Sequence, residues 1–337
     1  MDLRQLEYFL AVVEHGGVNR AAEALHVAQP SLSQSVRRLE RELGNPLFHR
    51  VGRGLVLAPA GEALVGPARL TLRAAAAARE AVETVGAGRG GAIDLAALAD
   101  VSTDPLSIWV ARFRARNPGV RFRIEERDDA SDVAELVRSG ACELGILAAP
   151  LPADLAGEPL VDQTFVLVTP PGTEDHWPDP TSASALQDAP LVMSGRGTST
   201  RDWIEQSLRA EGVEPRVVVE VPQRGAVIPM VLAGAGAAIV SLRAAIDARQ
   251  RGGVVRELTP GLSRSIGVVH RQAPLTTATQ DFLAHVHRSV DAWRAGVAVQ
   301  RAKGLTTVEA AGRVTAEADR RLRALNRADP QVRPTHP

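Results

Sequence analysis

Residues 26–50, HVAQPSLSQSVRRLERELGNPLFHR, constrain the fold of this chain more tightly than any other stretch. Leu32, Val36, Leu39 and Leu43 step by four, three and four, which is the spacing of one buried stripe on an α-helix. The helix starts at Gln29-Pro30, where proline is tolerated because the first-turn N–H groups have no helical partner. With the stripe buried, Ser31, Ser33, Gln34, Arg37, Arg38 and Arg41 must face elsewhere. A helix that only packs needs an indifferent polar face. This one collects short hydrogen-bonding groups in its first two turns and guanidinium groups behind them. Gly44 ends the helix, Asn45-Pro46 turns the chain, and Leu47-Phe48 returns to the core. His49–Leu57 then has the pattern of a β-hairpin with Gly52 to Gly54 at its tip.

Two shorter helices precede it. Leu3, Leu6, Phe9, Leu10 and Val13 form an apolar face that stops at Gly16-Gly17. The spacing predicts a second helix beginning near Asn19 as N-cap and running to Leu25, with Ala21 and Ala22 small enough for another helix to cross closely. Three short helices and a hairpin make a winged helix-turn-helix, whose third helix enters the DNA major groove. Its head can bond base edges and its arginines can reach guanine or phosphate, while Arg50 and Arg53 on the wing suit backbone or minor-groove contact. Asn19 and Arg20, at the head of the second helix, complete the candidate DNA-facing set with Gln29 and Pro30. Charge agrees: the chain is neutral overall, yet residues 29–57 hold five arginines against two glutamates. Taken alone, such a run is an ordinary solvated face.

The 337 residues allow two or three domains. Aromatics are only 3%, so the core must be built from Ala, Val and Leu. The absence of a charged-then-apolar leader or long apolar run, with Cys142 as the sole cysteine, leads to the expectation of a cytoplasmic protein with no membrane segment and no disulfide. Residues 60–85 predict one long helix of about 39 Å, at 1.5 Å per residue, with Pro67 bending it or marking a late start. Its alanine stripe needs a partner, either a second copy or the chain's own C-terminal part. Residues 87–91 are then a glycine-rich hinge.

From residue 92 to about 295, apolar or alternating strand segments alternate with helical ones, the pattern of an α/β domain with mostly parallel strands. No phosphate loop, dinucleotide fingerprint or metal-ligand motif occurs, and no cofactor is expected. His285 and His287, two apart on a helix, are poor joint ligands. Residues 100–105 and 194–201 carry hydroxyls into helix starts, which suits either an anion or ordinary capping, with Ser199 and Asp202 forming a capping box. Cys142 precedes a buried strand and is expected to be a small core residue.

Residues 3–61 resemble the DNA-binding domain of LysR-type transcriptional regulators. Leu6, Phe9, Val12, Gly16, Arg20 to Ala22, Leu25, Val27, Gln29-Pro30, Leu32-Ser33, Arg38 to Glu40, Leu43-Gly44, Pro46 to Phe48, Arg50 and Ala60-Gly61 carry the likeness. The resemblance implies DNA contact by Gln29, Pro30, Ser33, Gln34 and Arg37 or Arg38, pairing of two chains through the linker helix, and commonly tetramers. It implies a two-lobed, periplasmic-binding-protein-like effector domain, with crossing strands near 163–168 and 265–269, lobe one at 92–162 plus 270–295, and lobe two at 169–264. The implied cleft for a small-molecule effector, a small anion among the candidates, contains Ser102, Thr103, Asp129, Ser131, Thr198, Ser199, Thr200, Gln223 and Arg224, with Arg196 or Arg201 to compensate for a missing positive charge. An arginine that some relatives place after residues 148–150 is missing. So are Ser or Thr at Gly17, Ala28 and Ala58, all beside helix starts.

The whole then divides into a winged helix-turn-helix domain (1–59), linker helix (60–86), hinge (87–91), effector domain (92–295) and a basic extension (296–337). Residues 307–326 of the extension are expected as a basic amphipathic helix on a solvated tail, with residues 330–337 disordered. Expected partners are double-stranded promoter DNA, the effector, a second copy and, for an activator, RNA polymerase. An enzyme or solute-binding protein on the same α/β fold leaves residues 1–61 without a purpose, and a constitutive architectural DNA binder needs no cleft.

Overall fold

The computed structural model describes residues 1–51, 54–83 and 90–328. The wing tip with Arg53, most of the glycine hinge and residues 330–337 therefore lie outside the described residues. Helix α1 (Leu3–His15) opens on a reciprocal cap in which Asp2 accepts from the Gln5 N–H and the Gln5 side chain accepts from the Asp2 N–H. It closes on Gly16 in the left-handed region. Helix α2 (Val18–Ala24) is capped by Gly17, so Asn19 lies inside the helix rather than at its cap. Helix α3 (Gln29–Leu43) starts after Ala28 and ends at Gly44, also left-handed. Leu32, Val36 and Leu39 are buried against Phe9, Val12, Ala21 and Ala22. Leu43, expected in the stripe, is 38% exposed, because the last turn of α3 projects past the domain core.

Strands β1 (Phe48–Val51) and β2 (Gly54–Leu57) pair antiparallel as the wing. Glu40 fixes the wing's entry, its carboxylate accepting from the Leu47 N–H at 2.9 Å and the Phe48 N–H at 3.3 Å. Helix α4 (Pro59–Glu83) runs through Pro67 without a late start. Ala68, Leu64 and Leu72 pack on Leu6, Phe9 and Leu10 of α1. A Cβ on Gly61 would lie 2.1 Å from the Leu47 carbonyl oxygen, so only glycine lets α4 cross the wing this closely. Further along, Arg73 donates to the Ala141 carbonyl at 3.2 Å and lies 3.8 Å from Asp94, tying the linker to the effector domain of its own chain.

That domain begins with β3 (Gly91–Leu98), so Gly91 is strand rather than hinge. A helical turn α5 (Ala99–Val101), a wider turn over 102–106, and α6 (Ser107–Arg114) lead to β4 (Val120–Arg127), α7 (Ala130–Arg138) and β5 (Leu144–Ala148). The long β6 (Ala156–Thr169) carries the chain into the second lobe. This lobe holds β7 (Thr181–Ser182), β8 (Leu191–Ser194), α8 (Ser199–Ala210), β9 (Val217–Val221), α9 (Val227–Leu232), β10 (Ala238–Ser241), α10 (Leu242–Gln250), β11 (Val254–Arg256) and β12 (Leu258–Thr259). Strand β13 (Leu262–His270) returns to the first lobe, followed by α11 (Thr277–Arg301) and α12 (Thr307–Ala328).

One sheet of order β10-β6-β13-β5-β3-β4 runs through both lobes, with β11 also on β6. It is more mixed than expected: β3, β4 and β5 are parallel, but β13 is antiparallel to both β5 and β6. The stretches 163–168 and 265–269 lie within β6 and β13, and residues 262–270 pair with 165–156. The first core gathers β3, β5, α6, α7 and the start of α11. Two further cores fill the second lobe.

The expected boundary at 295 falls inside α11. Its Val290 belongs to the first-lobe core and its Val297 to the second. Helix α12 lies where its basic composition suggested a solvated tail, yet Val308, Ala310, Ala311 and Thr315 are buried. Arg243 on α10 pairs with Asp319 on α12 at 3.2 Å. Among the described residues no helix is long and apolar enough to cross a membrane.

Candidate DNA interface and inter-lobe cleft

On the first domain, Asn19, Arg20, Gln29, Pro30, Ser31, Gln34, Arg37 and Arg38 are exposed and Ser33 is half-buried. They form one surface because α2 and α3 are joined by only four residues, with His26 at φ 53 making the sharp bend. Arg20 is committed to the Gly16 carbonyl at 2.8 Å. Arg38 pairs with Glu42 at 3.0 Å, and Glu42 also holds the N-terminal amine. These two hydrogen bonds, the amine's first, draw the Glu42 carboxyl down to about 2. Arg37 makes no side-chain ion pair among the described residues, and Arg50 stands exposed on the wing. Neither Gly17 nor Ala28 supplies a side-chain cap, as their types require.

In the effector domain the strand ends converge between the lobes, where open α/β sheets bind ligands. The residues expected there divide. Thr198 and Thr200 are buried, and the Ser199 N–H of lobe two donates to the Asp128 carbonyl of lobe one at 3.0 Å. Asp129 caps α7 through the Ser131 N–H at 2.6 Å, and Ser102 donates to Glu126 at 2.6 Å. Thr103 is exposed and bonds the Ala99 carbonyl, while Gln223 is exposed. The expected Ser199–Asp202 capping box is absent. Thr198 occupies the cap position, and its hydroxyl turns to the Gly195 carbonyl instead. Nor do the expected cations serve the cleft. Arg196 is almost wholly exposed, and Arg201 is consumed by Glu205 and Glu220, each at 2.7 Å.

The charge at the centre comes from Arg224, which was expected in the cleft, and from Arg264, which lies outside the expected set. Arg264, on β13, is 6% exposed. It pairs with Asp100, donates its Nε to Gln163 at 3.0 Å and reaches Thr200 at 3.3 Å. Its guanidinium lies 5.3 Å from the Phe165 ring centre and 5.6 Å from that of Trp203. Arg224 of lobe two lies 3.2 Å from Asp100 and 3.4 Å from Asp128, and donates to Thr200 at 2.9 Å. Lobe one therefore contributes the carboxylates and lobe two with the crossing strand the guanidiniums. Burial lowers the Arg264 pKa, and Asp100 opposes that shift. One buried donor, Arg264 Nη1, has no partner. For Arg264 the signal was a lone arginine near the start of a crossing strand, and Asp100 opens the 100–105 loop just beyond β3.

Cys142 is fully buried, and burial pushes its thiol up to about 11, so it is inert core. His285 is 4% exposed beside Phe113, with burial lowering it to about 4. His287 pairs with Glu158 at 3.0 Å.

Residues 3–62 match the bacterial regulatory helix-turn-helix protein, lysR family, and residues 86–291 match the LysR substrate binding domain. The chain is 34% identical over 248 residues to the HTH-type transcriptional regulator IlvR of Caulobacter vibrioides, covering 71% of this chain and 82% of the relative. It is 31% identical over 249 residues to the HTH-type transcriptional activator IlvY of Salmonella typhimurium, with the same coverage of each. Among solved structures, a full-length OxyR variant from Pseudomonas aeruginosa superposes with a TM-score of 0.66 at 24% identity, over 86% of this chain and 94% of that one. Full-length CbnR in complex with its target DNA does so at 0.59 and 22%, over 86% and 100%. These matches span both the helix-turn-helix and the two-lobed domain, and the chain belongs to the LysR family of DNA-binding transcriptional regulators, which are not enzymes.

Proposed function

We propose that this regulator binds promoter DNA as a dimer and that a small anionic effector, entering between the lobes, changes its output. The unpartnered Nη1 of buried Arg264 carries the effector reading. A buried guanidinium N–H without an acceptor is costly, and an oxygen of a ligand carboxylate would satisfy it. That carboxylate would compete with Asp100 for Arg264 and Arg224, and so bear directly on the lobe-to-lobe ion pairs. Differential binding of this kind shifts the populations of two lobe arrangements. For the dimer, Ala63, Pro67, Ala74 and Ala78 recur at four- and seven-residue intervals along α4 and remain exposed, a seam that suits a second copy. Two recognition helices then meet successive major grooves about 34–36 Å apart. Higher assembly to a tetramer and, for an activator, contact with RNA polymerase belong to the same reading.

Fluorescence anisotropy on the DNA upstream of the protein's own gene, beside a shuffled duplex at two salt concentrations, tests the first half. A preference of about a thousandfold is expected for a specific site, and equal, salt-sensitive binding to both duplexes points instead to a distant target or an architectural role. A thermal-shift screen of small carboxylates tests the second. Wild type is expected to be stabilised by at least one of them and Arg264→Met by none, whereas equal stabilisation of both removes Arg264 from the site.

A further inference from the structure

The second feature of note lies on the other side of the crossing strands. A cavity of about 110 Å³, open to solvent on one side, lies there between α6, β6, α10, α11 and α12. Its walls include Ile108, Val161, Leu242, Ile246, Val290 and Trp293, from both lobes. Trp293, Ala311, Thr315 and Ala318 all come from beyond residue 291, where the match to the LysR substrate binding domain ends. The cavity is thus covered by the extension that this chain adds, and it adjoins the cleft around Arg264 only through Gln163, which lines the cavity and accepts from Arg264.

Of the two cations in its lining, one is uncommitted among the described residues. Arg243 is held by Asp319, but Arg112 is half-buried and has no hydrogen bond or ion pair among the described residues. Its largest electrostatic neighbours are the carboxylate of Asp319 and then the guanidiniums of Arg243, Arg116 and Arg321. Such a field favours an added anion. Size sets the rest of the ligand. A dry cavity of about 150 Å³ holds the six carbons of benzene, so 110 Å³ encloses about four carbons.

We propose that this cavity is a second ligand site for a small monocarboxylate with a hydrocarbon body of about four carbons, its carboxylate on Arg112. Two carboxyls also line the space. Asp162 is exposed to solvent, and Asp104, raised to about 6 by burial, is mostly ionised at neutrality, so its repulsion of an anion is relieved only as pH falls towards 6. A ligand here touches α6 of lobe one, α10 of lobe two and the α12 cover at once, so its occupancy would favour one lobe angle.

Isothermal titration of the full-length chain with 3-methylbutanoate and 2-methylpropanoate tests this. One site per chain is expected for the former, with 3-methylbutanamide at least tenfold weaker. Arg112→Met should weaken the carboxylate at least tenfold, and Ala318→Leu, which fills the rim of the cavity, should abolish binding. Arg209→Ala, exposed on α8 and outside both sites, should leave it unchanged. No binding of either carboxylate overturns the proposal, as does binding that survives both Arg112→Met and Ala318→Leu. Should Arg112→Met lose its wild-type circular dichroism, Ala318→Leu and the amide comparison decide.

Discussion

Replacing Ala28 by serine should stabilise the DNA-binding domain. Ala28 already holds an N-cap backbone, φ −66 and ψ 128, with no side-chain acceptor. A serine cap over alanine typically contributes ~0.5–2 kcal/mol by accepting from the second or third helical N–H. Here the second helical residue is Pro30, which has no N–H, so Ser31 is the only such donor. Its N–H already reaches the Ala28 carbonyl at 3.0 Å. The gain should therefore fall in the lower half of the range, about 0.5–1 kcal/mol. Because the chain has several cores, a single melting temperature is not the right observable. Native-state hydrogen exchange is: that gain slows exchange of the Ser31 to Ser33 amides about two- to fivefold where they exchange through opening of this domain. It should also move the calorimetric transition of the DNA-binding domain upward by roughly 2–8 °C, the scale for a domain of this size. Measured without DNA, the effect is separated from any contact of the new hydroxyl with a phosphate. Unchanged protection together with an unchanged transition would refute the cap assignment.

Asp104→Asn should stabilise the protein in a pH-dependent way. Burial raises this carboxyl from 3.8 to about 6, against the attraction of Arg243, so the folded state holds the proton more tightly than the unfolded one. The wild type therefore loses stability as pH rises through about 6, by up to about 3 kcal/mol. Urea melts should show the variant ahead at pH 8, with the difference shrinking towards pH 4, and a constant difference across that range would exclude ionisation as the cause. On DNA, Gln34→Ala should relax base preference, whereas Arg50→Ala should weaken all duplexes alike and lower the salt slope by about one. Anisotropy titrations at several salt concentrations that give the same profile for both variants would remove the division between base reading and anchoring.

The first domain was legible because its signals are local. The Leu32–Leu39 spacing, Pro30 and the glycines at 16 and 44 act within a few residues of themselves. Leu43 shows the limit: the stripe continues, but whether core lies beneath its last turn is a tertiary fact. In the effector domain, strands could be read from apolar runs, but their partners could not, and β13 turned out antiparallel to both neighbours. The hydroxyl loops drew attention to the right place between the lobes, yet side-chain pairing decided which cations remained. Arg201 and Arg264 look alike in sequence, and only the fold gives the first two glutamates and the second an unpartnered nitrogen. The extension was misread for a related reason. The buried stripe of α12 is largely Val308, Ala311 and Thr315, small side chains at helical spacing, and its arginines dominate the composition.

The same arrangement bears on how weak a signal could operate the cleft. Asp100 already pairs with both Arg264 and Arg224, so under the proposed function an incoming carboxylate would exchange one ion pair for another. Buried pairs of this kind contribute little net stability, because desolvation offsets most of the attraction. The exchange is then close to balanced, and the free Nη1 donor together with the effector's own apolar contacts tips it. The released Asp100, 13% exposed at its side chain, must regain water, which requires the lobes to part at that point. Opposing this, the backbone bond from Ser199 to Asp128 holds the cleft closed on one side, and α11, packed into a core of each lobe, restrains the other. An effector that merely fits the cleft would therefore change little. One that displaces Asp100 couples its binding to lobe geometry, because the same two guanidiniums hold either the ligand or the opposite lobe.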